Sequence, residues 1–526
     1  MCIASDTLDP LSLSILIHVG VVANTGSMVV FTIDLTVRSP ANLIDLSMIL
    51  YTNELYCNYG HLHLITKKPY HRTLANLAEQ YGPVLLLRYG FRKVLVVSSP
   101  SAVEELFTRN DVAFANRPLL IAGKHLGYNH TSLVWSSYGD HWRNLRRFTA
   151  LEIFSSYRLQ LDSCVRSEEM QSLVLQLFGD SNFKEFHEVE LKTKFFELML
   201  NILMRMIAGK RYYGENVVDL DEAKQFRHIV KESFYLLGIP NLSDYLPFLR
   251  RLDLQGLEKR MVISSQERDS FMQKLIDDHR EKRRSTSKDG HTKKTMIDVL
   301  LSQQEADPEY YTDNIIKGLI ATLLTAGTDT SSVTMEWAMS LLINHPEVLK
   351  KVREEIDLQV GEERLFEESD LHNLPYLRKI INETLRLYPA AAIVTHESSK
   401  ECTVGGLRVP SGTMLQLNLW ALHRDPNVWA EPLKFNPERF QGDNEGFDLI
   451  PFGSGRRKCP GEGLAMRVVG LALGSLIQCF EWKRVGEELV DMTEGGGVTL
   501  PRVNPLVVMC KPRPIMQHVL TQFTNQ

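Results

Sequence analysis

One cysteine of this chain stands at the end of a glycine-rich, basic loop, Pro451-Phe452-Gly453-Ser454-Gly455-Arg456-Arg457-Lys458-Cys459-Pro460-Gly461. A thiol binds a metal only as thiolate, and its pKa falls beside Arg or Lys and at a helix N-terminus. Cys459 has all three in sequence, because the Leu-, Ala-, Val- and Gly-rich run to about residue 480 reads as a helix. Gly453, Gly455 and Gly461 suit a chain that bends tightly and brings backbone N–H groups to a sulfur. Alone, the loop is either a metal–thiolate site or a buried cysteine in an anion-binding turn. A second constellation, Ala326-Gly327-Thr328-Asp329-Thr330-Ser331, sets hydroxyls and a carboxylate beside two small residues. Ala326 and Gly327 would let a planar ligand approach the backbone; a Ser/Thr-rich kink in a core helix is the plainer alternative. Glu383 and Arg386 share a helical face at i,i+3, an arrangement that is ordinary surface decoration when isolated. Trp142 and Arg146 lie one turn apart in a segment that otherwise reads as a basic surface helix.

Such groups need long elements to hold them in register. Thr312 is a good N-cap and no proline follows until Pro346, which predicts one helix of about thirty residues with Gly327 near its middle. Tyr70 to Tyr81 has helical spacing, stopped by Gly82-Pro83. Residues 84–89 and 93–98 are β-rich runs around Gly90, a hairpin, and a helix begins at residues 102–107. Residues 115–135 read as a Gly- and His-containing loop. Residues 151–280 read as successive amphipathic helices broken near Gly238-Ile239-Pro240 and Pro247, with residues 234–249 apolar enough to touch a membrane, line an access channel or pack in a core. Residues 280–294 are charged and Gly-containing, an exposed loop open to proteolytic nicking. Residues 389–395 are apolar and suit a substrate wall, and residues 495–500 form a turn carrying two further pocket residues.

Net charge is −5, from 59 Lys+Arg against 64 Asp+Glu, so no bulk charge draws the chain to nucleic acid. The seven cysteines are scattered without a CxxC pair, which speaks against a disulfide framework or a structural zinc and for a reducing, cytosol-facing setting. His61, His63 and His71 lack carboxylate or Cys companions and read as solvated loop positions. The uncharged run at residues 11–33 is about long enough to span a bilayer, although His18, Asn24, Thr25 and Ser27 dilute it and Arg38 is the nearest basic residue.

Phe452, Gly455, Arg457, Cys459 and Gly461 match the Phe-x-x-Gly-x-Arg-x-Cys-x-Gly signature, and the chain thereby resembles the cytochromes P450. The resemblance covers residues 60–515 and is greatest, in residues 60–64, 326–331 and 452–467, to plant family 81 of these A-type enzymes. It implies a mainly α fold with small β-sheets, holding haem b between a long distal helix and a proximal Cys loop and helix. Cys459 would be the axial thiolate, the ligand that pushes electron density toward O–O cleavage. Phe452, Gly461, Ala326 and Gly327 would touch the haem, and Arg457, Trp142, Arg146 and His396 would meet its propionates. Thr330 would donate to dioxygen and Asp329 would relay protons. Glu383, Arg386 and Arg439, from Pro437-Glu438-Arg439-Phe440, would form a buried structural triad. The implied reaction is monooxygenation of a small hydrophobic aromatic, an isoflavonoid or other phenylpropanoid, with electrons from NADPH through NADPH–cytochrome P450 reductase. Arg143, Arg147, Arg456 and Lys458 would offer that donor a basic surface. The same fold also hosts isomerases and dehydratases, against which the Asp329-Thr330 pair speaks, and a non-catalytic haem- or ligand-binding role is the third reading. The resemblance further implies residence on the endoplasmic reticulum membrane with the catalytic body in the cytosol. Residues 1–59 depart from the family's pattern in lacking a proline-rich hinge, which suggests an alternative or misassigned N-terminal exon, and residues 516–526 are expected as a tail.

Overall fold

A computed structural model describes residues 60–180, 185–214, 220–285, 294–440 and 446–524, together with the backbone of residues 15–25, 28–38 and 43–51. The first elements are three strands, β1 (Ile15–Thr25), β2 (Met28–Arg38) and β3 (Leu43–Tyr51), paired as an antiparallel meander. The expected bilayer-length run at residues 11–33 is therefore divided between two strands, not one spanning helix; its Val, Ile and Thr content favours extended backbone. Residues 11–14 and 26–27 lie outside the described residues. The packed body begins at Gly60, which bridges to Tyr89, and Leu62, Leu64 and Ile65 are buried.

Helix α1 (Tyr70–Tyr81) ends at Gly82, whose φ of +101° an L side chain rarely adopts. The hairpin of β4 (Val84–Tyr89) and β5 (Arg92–Val97) turns at Gly90, φ +56°. Then come α2 (Pro100–Thr108), α3 (Asp140–Glu152), α4 (Ser163–Gly179), the short strand β6 (His187–Glu190), α5 (Leu191–Ala208), α6 (Leu220–Gly238), α7 (Leu257–Ser285) and α8 (Met296–Ala306). Helix α7 runs past the expected loop start, because Arg280 pairs with Asp313 at the head of the next helix and Arg283 with Glu305; residues 286–293 lie outside the described residues.

The predicted long helix is α9 (Asp313–Asn344), 32 residues with Thr312 at its N-cap. Its second half is almost wholly buried, Trp337 completely. After α10 (Pro346–Gln359) and α11 (Pro375–Leu387) the chain returns through β7 (Ile393–Glu397), the β8–β9 hairpin (Cys402–Val404, Leu407–Val409) and β10 (Met414–Asn418). One sheet has the order β4-β5-β10-β7, in which β10 runs parallel to β5 and antiparallel to β7. Helix α12 (Glu462–Cys479) follows the Cys loop and packs on α9, α11 and α4. It is the one described helix apolar and long enough to cross a bilayer, yet 72% of it is buried, as befits a core helix. Strand β12 (Val507–Pro512) pairs antiparallel with β11 (Phe480–Lys483) on one side and with β6 on the other. A final helix, α13 (Gln517–Thr524), buries Val519 and Leu520, so the chain is part of the core beyond residue 515. The architecture is mainly α with small sheets, centred on α9 and α12.

Candidate active site

Between α9 and the Cys loop lies a cavity of about 380 Å³. The loop is shaped by its glycines: Gly453 and Gly455 have φ of +71° and +65°. A Cβ on Gly455 would stand 2.4 Å from the Asp111 carboxylate, so nothing larger fits. The Cys459 N–H donates to the Phe452 carbonyl at 2.9 Å, which closes the loop and turns the sulfur to the cavity. Phe452, Arg457, Cys459 and Gly461 all line it, as do Ala326, Gly327 and Thr330 from α9, Trp142 and Arg146 from α3, and His396 from β7.

The electrostatics of the sulfur differ from the sequence expectation. Burial raises the Cys459 pKa, opposed by the Gly461 N–H, by Arg146 and by the Glu462 N–H. The adjacent cations are engaged elsewhere: Lys458 pairs with Glu462 at 2.7 Å and Arg456 with Asp111. Arg457 donates to the carbonyls of Ala115 at 2.6 Å and of Ser136, with its guanidinium 4.4 Å from the Trp142 ring. Sequence adjacency put three positive groups at the thiol, whereas the fold leaves Arg146 and the head of α12.

The far edge of the cavity gathers cations. Arg457 is pushed down to about 9 by burial and by Arg117 and Arg146, and Arg117 to about 10 by burial. His396 donates or accepts through Nδ1 at the Phe114 carbonyl, 2.8 Å away, and is lowered to about 3 by burial and by Arg117, keeping it neutral. Among the described residues none of Arg117, Arg146 and Arg457 has a carboxylate partner, and Arg117 Nε is buried with no acceptor. Arg117 was not predicted from sequence. Its only signal was a lone arginine in Ala113-Phe114-Ala115-Asn116-Arg117-Pro118, without an acid to pair with. Buried charge left unmatched is costly, so this edge fits a ligand bearing two carboxylates. A flat apolar wall, a cysteine sulfur opposite α9 and an uncompensated cationic rim suit haem.

On α9, Thr330 Oγ1 donates to the Ala326 carbonyl at 2.7 Å, and Thr328 and Thr334 back-bond in the same way to Leu324 and Thr330. The helix stays continuous through them. Gly327 also answers to packing, since a Cβ there would meet Leu203 of α5 at 2.9 Å. Asp329, expected to work beside Thr330, does not line the cavity. Successive helical residues are about 100° apart, and its carboxylate instead accepts from Thr499 Oγ1 at 2.6 Å. Burial raises its pKa, and the Thr499 hydroxyl and Lys192 lower it. Residues 495–500, expected to supply pocket side chains, lie outside the cavity lining. Ala390, Ala391 and Val394 do form part of the wall.

The triad is assembled below the site. Glu383 pairs with Arg386 at 2.7 Å and with Arg439 at 3.0 Å, and both Glu383 and Arg386 are fully buried. Glu383 also accepts the Asn436 N–H, while Arg386 donates to the His423 and Pro432 carbonyls. His71, expected in solvent, is buried against Glu494 at 2.9 Å. No metal-holding cluster of His, Cys, Asp and Glu occurs among the described residues.

Comparison with known proteins agrees with this geometry. The family model "Cytochrome P450" matches residues 52–509. Cytochrome P450 81Q32 of Catharanthus roseus is 55% identical over 465 residues, 88% of this chain and 91% of that protein. The isoflavone 2'-hydroxylase of Glycyrrhiza echinata is 49% identical, covering 88% of this chain and 92% of its own length. The (+)-piperitol/(+)-sesamin synthase of Sesamum radiatum is 50% identical, with 89% and 91% covered. Among solved structures, a zebra fish cytochrome P450 with progesterone superposes with a TM-score of 0.72 at 26% identity, covering 85% of this chain and all of that one. The chain thus belongs to the cytochromes P450, with its similarity concentrated in family 81.

Proposed function

We propose that this haem-thiolate monooxygenase, an oxidoreductase dependent on NADPH, hydroxylates a flat phenolic of the isoflavonoid or wider phenylpropanoid class. The observation that carries the reading is the apolar cavity with Thr330 on one wall, Cys459 on the other and the unmatched Arg117–Arg146–Arg457 rim at its edge. The relatives named as isoflavone hydroxylase and sesamin synthase point to the substrate class. When bound, haem supplies the iron at which dioxygen is reduced and one oxygen atom enters a substrate C–H bond. Cys459 is the residue to hold that iron, with Gly461 and Glu462 N–H groups toward its sulfur. Arg117, Arg146 and Arg457 would hold the haem's two carboxylates, and Trp142 and His396 line the same cavity. Ala326 and Gly327 keep the distal wall thin, Thr330 supplies the hydroxyl that would donate at the reacting atoms, and Asp329 is the acid next to it on the helix. Glu383, Arg386 and Arg439 fix the chain beneath. The catalytic domain begins at residue 60 and includes α13.

Electrons reach the site from NADPH–cytochrome P450 reductase, for which the exposed Arg143, Arg147, Arg456 and Lys458 form the docking face. Association with the endoplasmic reticulum membrane, body in the cytosol, is supported by an apolar patch. Phe91, Leu119, Phe248 and Leu252 are each more than half exposed. They are tied together by Phe91 N–H to the Tyr245 carbonyl and by Arg92 to the Leu119 carbonyl.

The test has two parts. Isoflavones and lignan precursors titrated into the ferric holoprotein should shift its spin state, and the binders should be oxidised with NADPH, reductase and oxygen. Cys459→Ser should abolish the thiolate-type ferrous–CO Soret band. Conversion without oxygen uptake would mean an isomerase or dehydratase, and an unchanged band would remove Cys459 as ligand.

A further inference from the structure

The carboxylate of Asp329 is held by a residue well outside its own motif. Thr499 Oγ1 donates to Asp329 Oδ2 at 2.6 Å, and Thr499 is only 8% exposed. The backbone that aims this hydroxyl is clamped from two sides. Leu500 N–H donates to the Ala390 carbonyl at 2.9 Å, and Trp337 Nε1 donates to the Leu500 carbonyl at 2.7 Å. Trp337 is fully buried and stacked 3.8 Å from Tyr388. Neither Thr499 nor Asp329 lines the haem cavity, whereas Thr330, the next residue of the same helix, does. Asp329 therefore serves the Thr330 side only by leaving Thr499.

We propose that Thr499 is a positioning residue for Asp329, parking the carboxylate on the turn at residues 495–500 and so governing when it serves the oxygen-activating side of α9. The inference rests on the reading of Asp329 as the acid behind Thr330. The charged groups around Asp329 are few. Lys192 of α5 is the cation that faces it, and Glu336, seven residues along α9, is the neighbouring acid. Glu336 accepts the Leu506 N–H at 2.9 Å, has Arg502 near it, and keeps its other oxygen buried without a partner. Burial favours the protonated form of Asp329; the Thr499 hydroxyl and Lys192 favour the ionised one. Removing the hydroxyl leaves Lys192 as the sole opposition, so Asp329 would ionise at higher pH.

The experiment compares Thr499→Val, Thr499→Ser and Asp329→Asn in the full-length holoenzyme with its reductase. Thr499→Val should keep the ferrous–CO spectrum and the substrate-induced spin shift. Product formed per NADPH should fall by up to about tenfold, the scale of one hydrogen bond to a charged group, and the pH limb that reports Asp329 should move up by about one pH unit. Thr499→Ser should restore both, which a purely structural role for the branched side chain would not allow. If Thr499→Val holds too little haem to measure, Thr499→Ala reads the same two quantities. The proposal is overturned if the Val or Ala variant matches the parent in coupling and pH profile while Asp329→Asn uncouples, or if its main defect is a lost spin shift, placing Thr499 in substrate binding. If Asp329→Asn itself leaves coupling and pH profile unchanged, the reading of Asp329 fails first and this inference with it.

Discussion

At the scale of single residues, hydroxyls and guanidinium groups carry the most specific expectations. Thr330 already spends its proton on the Ala326 carbonyl, so donating into the cavity requires the hydroxyl to turn about its Cβ–Oγ1 bond and give up that bond. Thr330→Ala and Thr330→Val should retain haem and the spin shift but release more reducing power as hydrogen peroxide. Thr330→Ser, which keeps the donor, should stay better coupled. Peroxide and product per NADPH decide it, and equal coupling in all three would reduce Thr330 to a helix-packing residue. Arg117 is the complementary case. Burial and Arg457 oppose its charge, it donates to the Thr395 carbonyl, and it has no carboxylate partner among the described residues. Arg117→Met should therefore speed haem loss to apomyoglobin by roughly tenfold, the value of one charged hydrogen bond, while leaving the thiolate spectrum intact. An unchanged loss rate would show that Arg146 and Arg457 suffice.

At the scale of elements, α9 and α11 show how differently two helices use polar residues. On α9 the Thr and Ser hydroxyls bond to their own carbonyls and need no tertiary partner, so the helix crosses the core with its chemistry turned to one face. On α11 Glu383 is buried and satisfied by Arg386 one turn along the same helix and by groups distant in sequence, Arg439 and the Asn436 N–H. Glu383→Ala or Arg386→Ala strands the remaining charges and should cost about 3–5 kcal/mol. The readout is a lower melting temperature and little soluble holoprotein; parental values for both would show that the triad is dispensable. The end of α6 is constrained in another way: a Cβ on Gly238 would lie 3.0 Å from the Gly497 Cα. That contact joins the apolar loop after α6 to the turn that holds Asp329.

At the scale of the whole molecule, the patch of Phe91, Leu119, Phe248 and Leu252 draws residues from three separate loops to one surface. Full-length protein carrying Phe248→Asp and Leu252→Asp should float less with phospholipid vesicles than the parent while keeping its ferrous–CO spectrum; equal flotation would assign membrane contact elsewhere. The sequence by itself determined what depends on residue type and local spacing. Thr312 and Pro346 bounded α9, Gly82 stopped α1, and the Phe452-to-Gly461 signature with Glu383, Arg386 and Arg439 named the family and its structural lock. Those signals are local because caps, turns and prolines act on the backbone within a few residues. Tertiary structure decided where side chains end up once burial and partners compete for them. It moved Asp329 off the cavity onto Thr499 and buried His71 on Glu494. It also drew Lys458 to Glu462 and Arg457 to backbone carbonyls, leaving Arg146 as the cation toward the Cys459 sulfur, and brought Arg117 to the cationic rim. Each of these results rests on a partner far away in the chain or on a choice between nearby ones. Only the folded chain, by fixing which groups lose their water together, selects among them.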